Sequence, residues 1–339
     1  MPIHPALKSS PLVSVVTPFY NTDSFIDEAI ESILEQTYAN YEYILVDNHS
    51  TDRSAEIAET YAKRDSRIRV LRTPRFFSQL DNISFAVQQI DNSSVYCKVL
   101  FADDWIFPHC LASMVTLGEA HPNTGVIAGY YLRGSSVSAL GLDTRQSVYS
   151  GRDVCRRYFF EKLFPFGSPS TVAYRASVVR ERTPLFEDGH LHEDTELIFR
   201  LMRRHDFGFV HQILSFMRVQ EDSITYSARD FDPEALDRLI IVKKYGRDYL
   251  DQVEFDAVLG NAFWEFYRAL AKQWVADRLG ATSPGFWEYQ YSGLETIGEK
   301  IRPTVLARYI ARGALESLVH VGKASRRFSQ KLGRSKHTG

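Results

Sequence analysis

The sequence has few cysteines, little net charge and no long apolar run. Cys97, Cys110 and Cys155 are odd in number and lack metal-binding spacing, a pattern typical of reduced thiols in a cytosolic protein. A net charge of -2 supplies no general attraction to nucleic acid. No apolar stretch reaches the roughly 18 to 20 residues of a membrane span, and the N-terminus lacks a signal-peptide core. We therefore expect a cytoplasmic protein without nucleic-acid partners or transmembrane segments.

Strand-like and helix-like segments alternate through the first half of the chain. The strand-like runs are 12–17, 43–46, 68–71, 95–101 and 125–131, and helical patterns separate them. Thr17, Asp47, Arg72 and Asp103 end four of these runs at intervals of about 30 residues, the length of one βαβ unit. The alternation predicts an α/β fold with a mainly parallel sheet.

The residues that follow the predicted strands should share one edge of that sheet, where ligands of parallel sheets bind. They are 18–21, Asp47, 72–75 and the pair Asp103 and Asp104. Neither GxGxxG nor GxxxxGK[ST] occurs here, so a dinucleotide fingerprint and a P-loop are excluded. Carboxylates that meet phosphates need a cation between them, and Mg²⁺ or Mn²⁺ suits oxygen ligands.

Four stretches together resemble glycosyltransferase family 2. They read VSVVTPFYN, YILVDNHSTDRS, KVLFADDWIFP and LHEDTELIFRL, and the resemblance covers about residues 12–225. It implies a GT-A (Rossmann-like) fold and a metal-dependent enzyme. Such an enzyme moves a sugar, with inversion, from a nucleotide-diphosphate sugar to a hydroxyl acceptor, for example a glycan or lipid-linked glycan of cell-surface polysaccharide.

The resemblance also assigns the donor site. It implies that Thr17 and Tyr20 flank the nucleobase and that Asp47 accepts a hydrogen bond from the base edge. A turn-capping role for Asp47 is the simpler alternative. Arg75, together with Arg72 and Lys98, would meet diphosphate oxygens, although a solvated surface position is the usual alternative.

The acidic motif departs from the family pattern D-x-D, because Phe101 stands where the first acid is usual. The resemblance makes Asp103 the metal ligand and Asp104 a ribose or supporting partner, with helix capping as the alternative for Asp104. Gln220 stands where a histidine is frequent, so substrate phosphates and water would complete the metal's coordination.

The acceptor side is predicted in the third quarter of the chain. The turn-rich loop 164–171 is a candidate substrate loop or a plain connection. The resemblance makes Asp194 the base that takes the acceptor's proton, with Glu193 orienting its neighbours. A capping cluster is compatible with that role, whereas a His190-x-His192-Glu193 zinc site lacks partners at the usual spacing.

A helical pattern replaces the alternation after about residue 229, which predicts domains at 1–228 and 229–339. The segment 301–339 carries nine Lys or Arg against the single acid Glu316. It predicts either an amphipathic helix on the anionic inner face of the cell membrane or a solvated terminus. The oligomeric state stays open.

Two other functions remain possible at this point. A sugar nucleotidyltransferase shares the parallel sheet but should carry a glycine-rich loop after the first strand, where this chain has TPFYN. A non-catalytic nucleotide-sugar binding protein is compatible with Phe101 and Gln220.

Overall fold

The computed structural model describes residues 10–181, 184–186, 193–219, 233–281 and 283–312. Its contacts group the chain into two compact units, Met1–Ser223 and Ile224–Gly339. The boundary predicted between residues 228 and 229 falls outside the described residues and stays a prediction.

The first unit is built around one mixed sheet. Its strands are β1 (Val13–Phe19), β2 (Tyr41–Asp47), β3 (Ile68–Arg72), β4 (Tyr96–Val99), β5 (Trp105–Ile106), β6 (Thr124–Arg133), β7 (Ser136–Ser138), β8 (Val148–Tyr149), β9 (Val172–Arg175) and β10 (Asp206–Met217). Its helices are α1 (Ile26–Leu34), α2 (Ser54–Ala62), α3 (Gln79–Gln88), α4 (Cys110–Ala120), α5 (Gly151–Glu161), α6 (Ala176–Arg180) and α7 (Glu193–Leu201), and Pro169–Thr171 forms a 3₁₀ turn.

The sheet order is β3-β2-β1-β4-β9-β6-β10-β5, with β7 beside β6 and β8 beside β10. Strands β1 to β4 are mutually parallel where they pair, and β6 pairs with β10 in parallel. Strand β9 is antiparallel to both of its neighbours, β4 and β6. The predicted α/β architecture with a mainly parallel sheet is therefore confirmed. All seven residues of β1 are buried, as expected for a central strand covered on both faces.

Phe25 immediately precedes α1, since the Asp23 amide donates to Asp52 (3.0 Å) and 22–25 forms a turn. One local prediction was wrong, because we expected a strand over 95–101, but β4 ends at Val99. Residues 101–104 form a turn closed by an Asp104 N–H to Phe101 carbonyl bond (3.1 Å), which brings both acids out of the sheet.

The second unit is helical in its described part, as predicted. Its helices are α8 (Pro233–Tyr249), α9 (Gln252–Arg278) and α10 (Phe286–Glu295), and residues 303–312 are also helical. Helix α9 begins with a reciprocal capping box between Asp251 and Glu254. Tyr289 donates to Asp237 (2.8 Å) and so joins α10 to α8. Among the helices described, none is both long and apolar enough to cross a membrane.

Candidate functional site

The carboxyl ends of the parallel strands bring the predicted donor residues to one edge. In the pairing register, Asp47 lies directly between Phe19 of β1 and Arg72 of β3. On the other side of β1, Val16 pairs with Val99, the last residue of β4 before the acidic turn. The segments that carry Tyr20, Asp47, Arg72 and Asp103 therefore leave neighbouring strands at the same edge.

Asp47 is almost fully buried and is already held by the protein. One carboxylate oxygen accepts the Ser50 amide (2.8 Å), and the other lies 3.6 Å from Arg72 Nε. Asp47 therefore has the turn-capping role, and the bond from Ser50 fixes the direction of its carboxylate. The second oxygen has only the longer contact with Arg72. The proposed contact with a base edge stays a prediction.

Asn48 and Asn21 hold the loops around Asp47. The Asn48 amide donates to the Phe77 carbonyl and accepts the Phe77 amide, each at 2.9 Å. Asn21, with a φ of +51°, accepts the Thr51 amide (2.8 Å). These bonds tie the loops that follow β1, β2 and β3 to each other. Their sequence signal is an asparagine just beyond a strand end.

Tyr20 and Phe76 form an exposed aromatic pair at this edge. Their rings meet edge to face with centroids 5.0 Å apart, and Phe76 is 60% exposed. Arg75 lies over the Phe77 ring at 5.5 Å. Thr17, by contrast, is fully buried and shares a hydrogen bond with the Tyr43 hydroxyl (2.9 Å). In this conformation Tyr20 is open to a flat ligand, whereas the Thr17 side chain is closed to one.

The acidic turn holds two carboxylates in a poorly hydrated place. Burial raises the pKa of Asp103, and Arg218 opposes that rise. Burial and the neighbouring charge of Asp103 raise the pKa of Asp104 to about 7, against hydrogen bonds from Ser170 and the Arg218 amide. Burial therefore makes both carboxylates harder to ionise than they are in water. A divalent cation, which prefers hard oxygen ligands, would favour their charged form.

Arg218, which we did not predict as a site residue, forms hydrogen bonds with the acidic turn. Its amide donates to Asp104 Oδ1 (3.0 Å), its Nε to the Asp103 carbonyl (3.1 Å) and its Nη2 to Glu28 Oε2 (2.6 Å). The guanidinium also lies over the rings of Phe25 (4.9 Å) and Trp105 (5.3 Å). Sequence spacing could not show this contact, because Arg218 is more than 100 residues from the turn.

Lys98 does not lie at the rim, contrary to our expectation. Its side chain is fully buried, and its ammonium donates to the carbonyls of Val99 (3.0 Å) and Ser170. The position points inward because β4 lies between β1 and β9 and is buried throughout. Lys98 is therefore unavailable to a diphosphate.

Glu193 and Asp194, predicted to lie on the acceptor side, open α7. Glu193 is buried, and Asp194 Oδ1 accepts the Thr195 amide (2.7 Å). Burial raises the pKa of both Tyr131 and Tyr174, and the charge of Asp194 adds to each rise. Asp194 therefore lies near the tyrosines of β6 and β9, whose strands follow β4 in the sheet. His190, His192 and Gln220 lie outside the described residues.

The loop 164–171 links this region to the acidic turn. Gly167 lies against Tyr131, since a Cβ there would come within 3.1 Å of the ring. At the other end of the loop, Ser170 Oγ accepts the Phe101 amide (2.9 Å). The loop therefore contacts the turn that carries the acids and a tyrosine near Asp194. Within the described part of the chain, no three His, Cys, Asp or Glu side chains form a ready metal-ligand set.

Comparisons with known proteins agree with this architecture. A sequence profile described as Glycosyl transferase family 2 matches residues 14–183. Glycosyltransferase GlyG of Streptococcus pneumoniae serotype 4 is 35% identical over 124 residues, which cover 36% of this chain and 40% of GlyG. The first four curated relatives are matched over 18%, 40%, 13% and 56% of their lengths, so the chain covers less than two thirds of each.

Two solved structures share the fold. S. aureus TarS 1–349 in complex with UDP-GlcNAc superposes with a TM-score of 0.60 at 15% identity, over 84% of this chain and 80% of that one. The mannosyltransferase PcManGT from Pyrobaculum calidifontis, in complex with GDP-Man and Mn²⁺, gives a TM-score of 0.56 at 17% identity, over 92% and 81%.

Proposed function

We propose, because the chain belongs to glycosyl transferase family 2, that it transfers a sugar from a nucleotide-diphosphate sugar to a hydroxyl acceptor with inversion. The observation that carries the proposal is the shared strand edge at which Tyr20, Asp47, Arg72 and the acidic turn meet. The ligands named for the two structural neighbours, UDP-GlcNAc in TarS and GDP-Man in PcManGT, support a donor of this class.

The donor would bind along that edge. The nucleobase stacks on the exposed Tyr20 ring, with Thr17 supporting the strand beneath, and Asp47 accepts a hydrogen bond from the base edge. Arg75 meets the diphosphate, and Asp104 contacts the ribose or supports its neighbour. Bidentate arginine contacts suit phosphate oxygens.

Asp103 would be the protein ligand of Mn²⁺ or Mg²⁺. The adjacent carboxylates of partly buried Asp103 and buried Asp104 are oxygen ligands of the kind that a divalent cation prefers, and the Mn²⁺ named for PcManGT supports a bound cation. A divalent ion there would supply charge stabilisation for the leaving nucleotide diphosphate. Arg218 holds the main chain of the turn, so that the Asp103 carboxylate keeps its direction.

Asp194 would remove the proton from the acceptor hydroxyl as that oxygen attacks the anomeric carbon from the side opposite the leaving group. Inversion follows from a single in-line displacement with one base. Glu193, buried in the first turn of α7, orients this base. The loop 164–171 faces the acceptor, which we propose is a glycan or lipid-linked glycan of the cell-surface polysaccharide type.

The residues 229–339 would form a separate helical domain. We propose that the basic segment 301–339 brings the enzyme to the anionic inner face of the cell membrane, where a lipid-linked acceptor would lie. The protein would otherwise be cytoplasmic.

A thermal-shift screen tests the donor class. Nucleotide-diphosphate sugars carrying uracil, guanine, thymine or cytosine are added with and without Mn²⁺, because a ligand of the native state raises Tm. We expect one base to raise Tm, and more strongly with Mn²⁺ than without it. If none raises Tm in either condition, the proposal is wrong.

Phe101 favours a second candidate, a protein that binds nucleotide sugars without turnover. Hydrolysis of the selected donor with Mn²⁺, compared between wild type and Asp103→Ala, separates the two. Slow hydrolysis that Asp103→Ala abolishes supports the enzyme. Binding with no hydrolysis or transfer in either protein supports the second candidate.

A further inference from the structure

Lys98 is a fully buried cation that the proposed reaction does not use. It lies in the central strand β4, paired with Val15 of β1 on one side and Ala173 of β9 on the other. Its ammonium donates to the Val99 carbonyl (3.0 Å) and to the Ser170 carbonyl. Burying an ammonium costs several kcal/mol, and an apolar side chain at such a place is often neutral or stabilising. Packing alone therefore does not explain why a charged residue occupies this buried position.

Ser170 joins this cation to the acidic turn. Its side chain is fully buried, and its Oγ accepts the Phe101 amide (2.9 Å) at the start of the turn. Its carbonyl is one of the two acceptors of the Lys98 ammonium. Hydrogen bonds thus run without a break from Lys98 through Ser170 to the main chain of the acidic turn.

A second cation holds the same turn from a distant segment. The Arg218 amide donates to Asp104 Oδ1 (3.0 Å) and its Nε to the Asp103 carbonyl (3.1 Å). The acidic turn is therefore bonded both to buried Ser170, which Lys98 holds, and to the partly exposed Arg218.

We propose that Lys98 is a positioning residue that, through Ser170, fixes the acidic turn to the loop 164–171. Donor-side acids and the acceptor-side loop are then held in one arrangement. The assignment of these two sides rests on the proposed function, but the network itself does not. The Phe101 side chain has no polar atom and cannot hold the turn by a hydrogen bond. Lys98 and Ser170 hold the turn instead, through the Phe101 main-chain amide.

Lys98→Met tests the role, because methionine keeps the length and removes the charge. The probe is Mn²⁺ with UDP or with GDP, whichever stabilises the wild type, and the readouts are its dissociation constant and the donor KM and kcat. Changes to groups that orient metal ligands typically cost 10- to 100-fold. We expect the Mn²⁺–nucleotide complex to bind at least about tenfold more weakly to Lys98→Met.

Ser170→Ala keeps the test valid if Lys98→Met folds poorly. It should weaken the same binding, and the double variant should bind no worse than the weaker single variant, since the two residues act as one unit.

Ser14→Ala is the matched control. Ser14 is equally buried in β1, but it bonds to Ser94 and Glu42. It should leave binding unchanged even where its Tm falls. Equal binding losses in Ser170→Ala and Ser14→Ala would overturn the proposal.

A stability cycle without any ligand keeps this inference separable from the proposed function. The Tm change caused by Lys98→Met should differ between the wild-type and Ser170→Ala backgrounds, because the Ser170 carbonyl accepts from Lys98 while its hydroxyl accepts from Phe101. The same Tm change in both backgrounds would refute the coupling. If neither UDP nor GDP binds while the cycle shows coupling, the proposed function fails and the network stands. Lys98→Met with unchanged Mn²⁺–nucleotide affinity would overturn the positioning role directly.

Discussion

Replacing Arg218 by lysine should loosen the acidic turn while keeping the positive charge. Lysine cannot reproduce the planar fork that reaches the Asp103 carbonyl and Glu28 together. A hydrogen bond from a charged group contributes about 1.5 kcal/mol at the low end of its range. Weaker contacts with Phe25 and Trp105 cost about 0.5 kcal/mol in total. The pair with Glu28 adds little, because the Glu28 side chain is 55% exposed.

The sum is about 2 kcal/mol, which lowers Tm by about 4 to 8 °C for a unit of this size. Arg157→Lys is the matched control, since Arg157 also binds one carboxylate, Glu161, and one carbonyl, Gly141. That exposed pair should change stability by less than about 0.5 kcal/mol. Donor kcat/KM should fall about tenfold in Arg218→Lys alone. Equal Tm losses and equal kcat/KM in the two variants would refute the role of Arg218 in holding the acidic turn.

Three further outcomes follow from the same geometry. The raised pKa of Asp104, about 7 by burial and Asp103, means that the folded state binds its proton more tightly than the unfolded state. Without metal, the contribution of Asp104 to the free energy of unfolding should therefore fall as pH rises from about 4 to 7. In urea titrations the free energy of unfolding of Asp104→Asn, relative to wild type, should rise over that range, and a constant difference would contradict the raised pKa. Tyr20→Ala should raise the donor KM about tenfold, the value of one base–aromatic stack. The control Tyr291→Ala, at a tyrosine that is 52% exposed against 44% for Tyr20, should not raise it; equal KM values contradict the stack. Liposomes with anionic lipid should pellet the full chain more than a form ending at residue 300, and equal pelleting contradicts the membrane role of the tail.

Local patterns were sufficient for the parallel strands β1 to β4 and for the edge at which these strands end. Four β-rich runs spaced by about one βαβ unit predicted the parallel strands, and the structure puts Asp47 in register between Phe19 and Arg72. The turn at 101–104 was missed because apolar Leu100 and Phe101 extend the strand-like pattern. Hydrogen bonds to the turn, rather than residue propensity, end β4 at Val99.

Contacts between distant segments could not be predicted from local sequence patterns. Lys98 was placed at the rim because charge usually indicates exposure, yet the antiparallel entry of β9 beside β4 buries it. Arg218 and Ser170 reach the acidic turn from 115 and 69 residues away, across strands whose pairing no local pattern reveals. The Asn48 and Asn21 bonds are of the same kind, since each needs the neighbouring loop in place.

The most direct test of the central claim is anomalous diffraction from crystals soaked with Mn²⁺ and the nucleotide diphosphate chosen by the thermal-shift screen. We expect one manganese peak within coordination distance of the Asp103 carboxylate, with the base beside Tyr20 and Asp47 and the diphosphate on the same ion. A peak elsewhere, or a nucleotide bound away from this strand edge, would contradict the account.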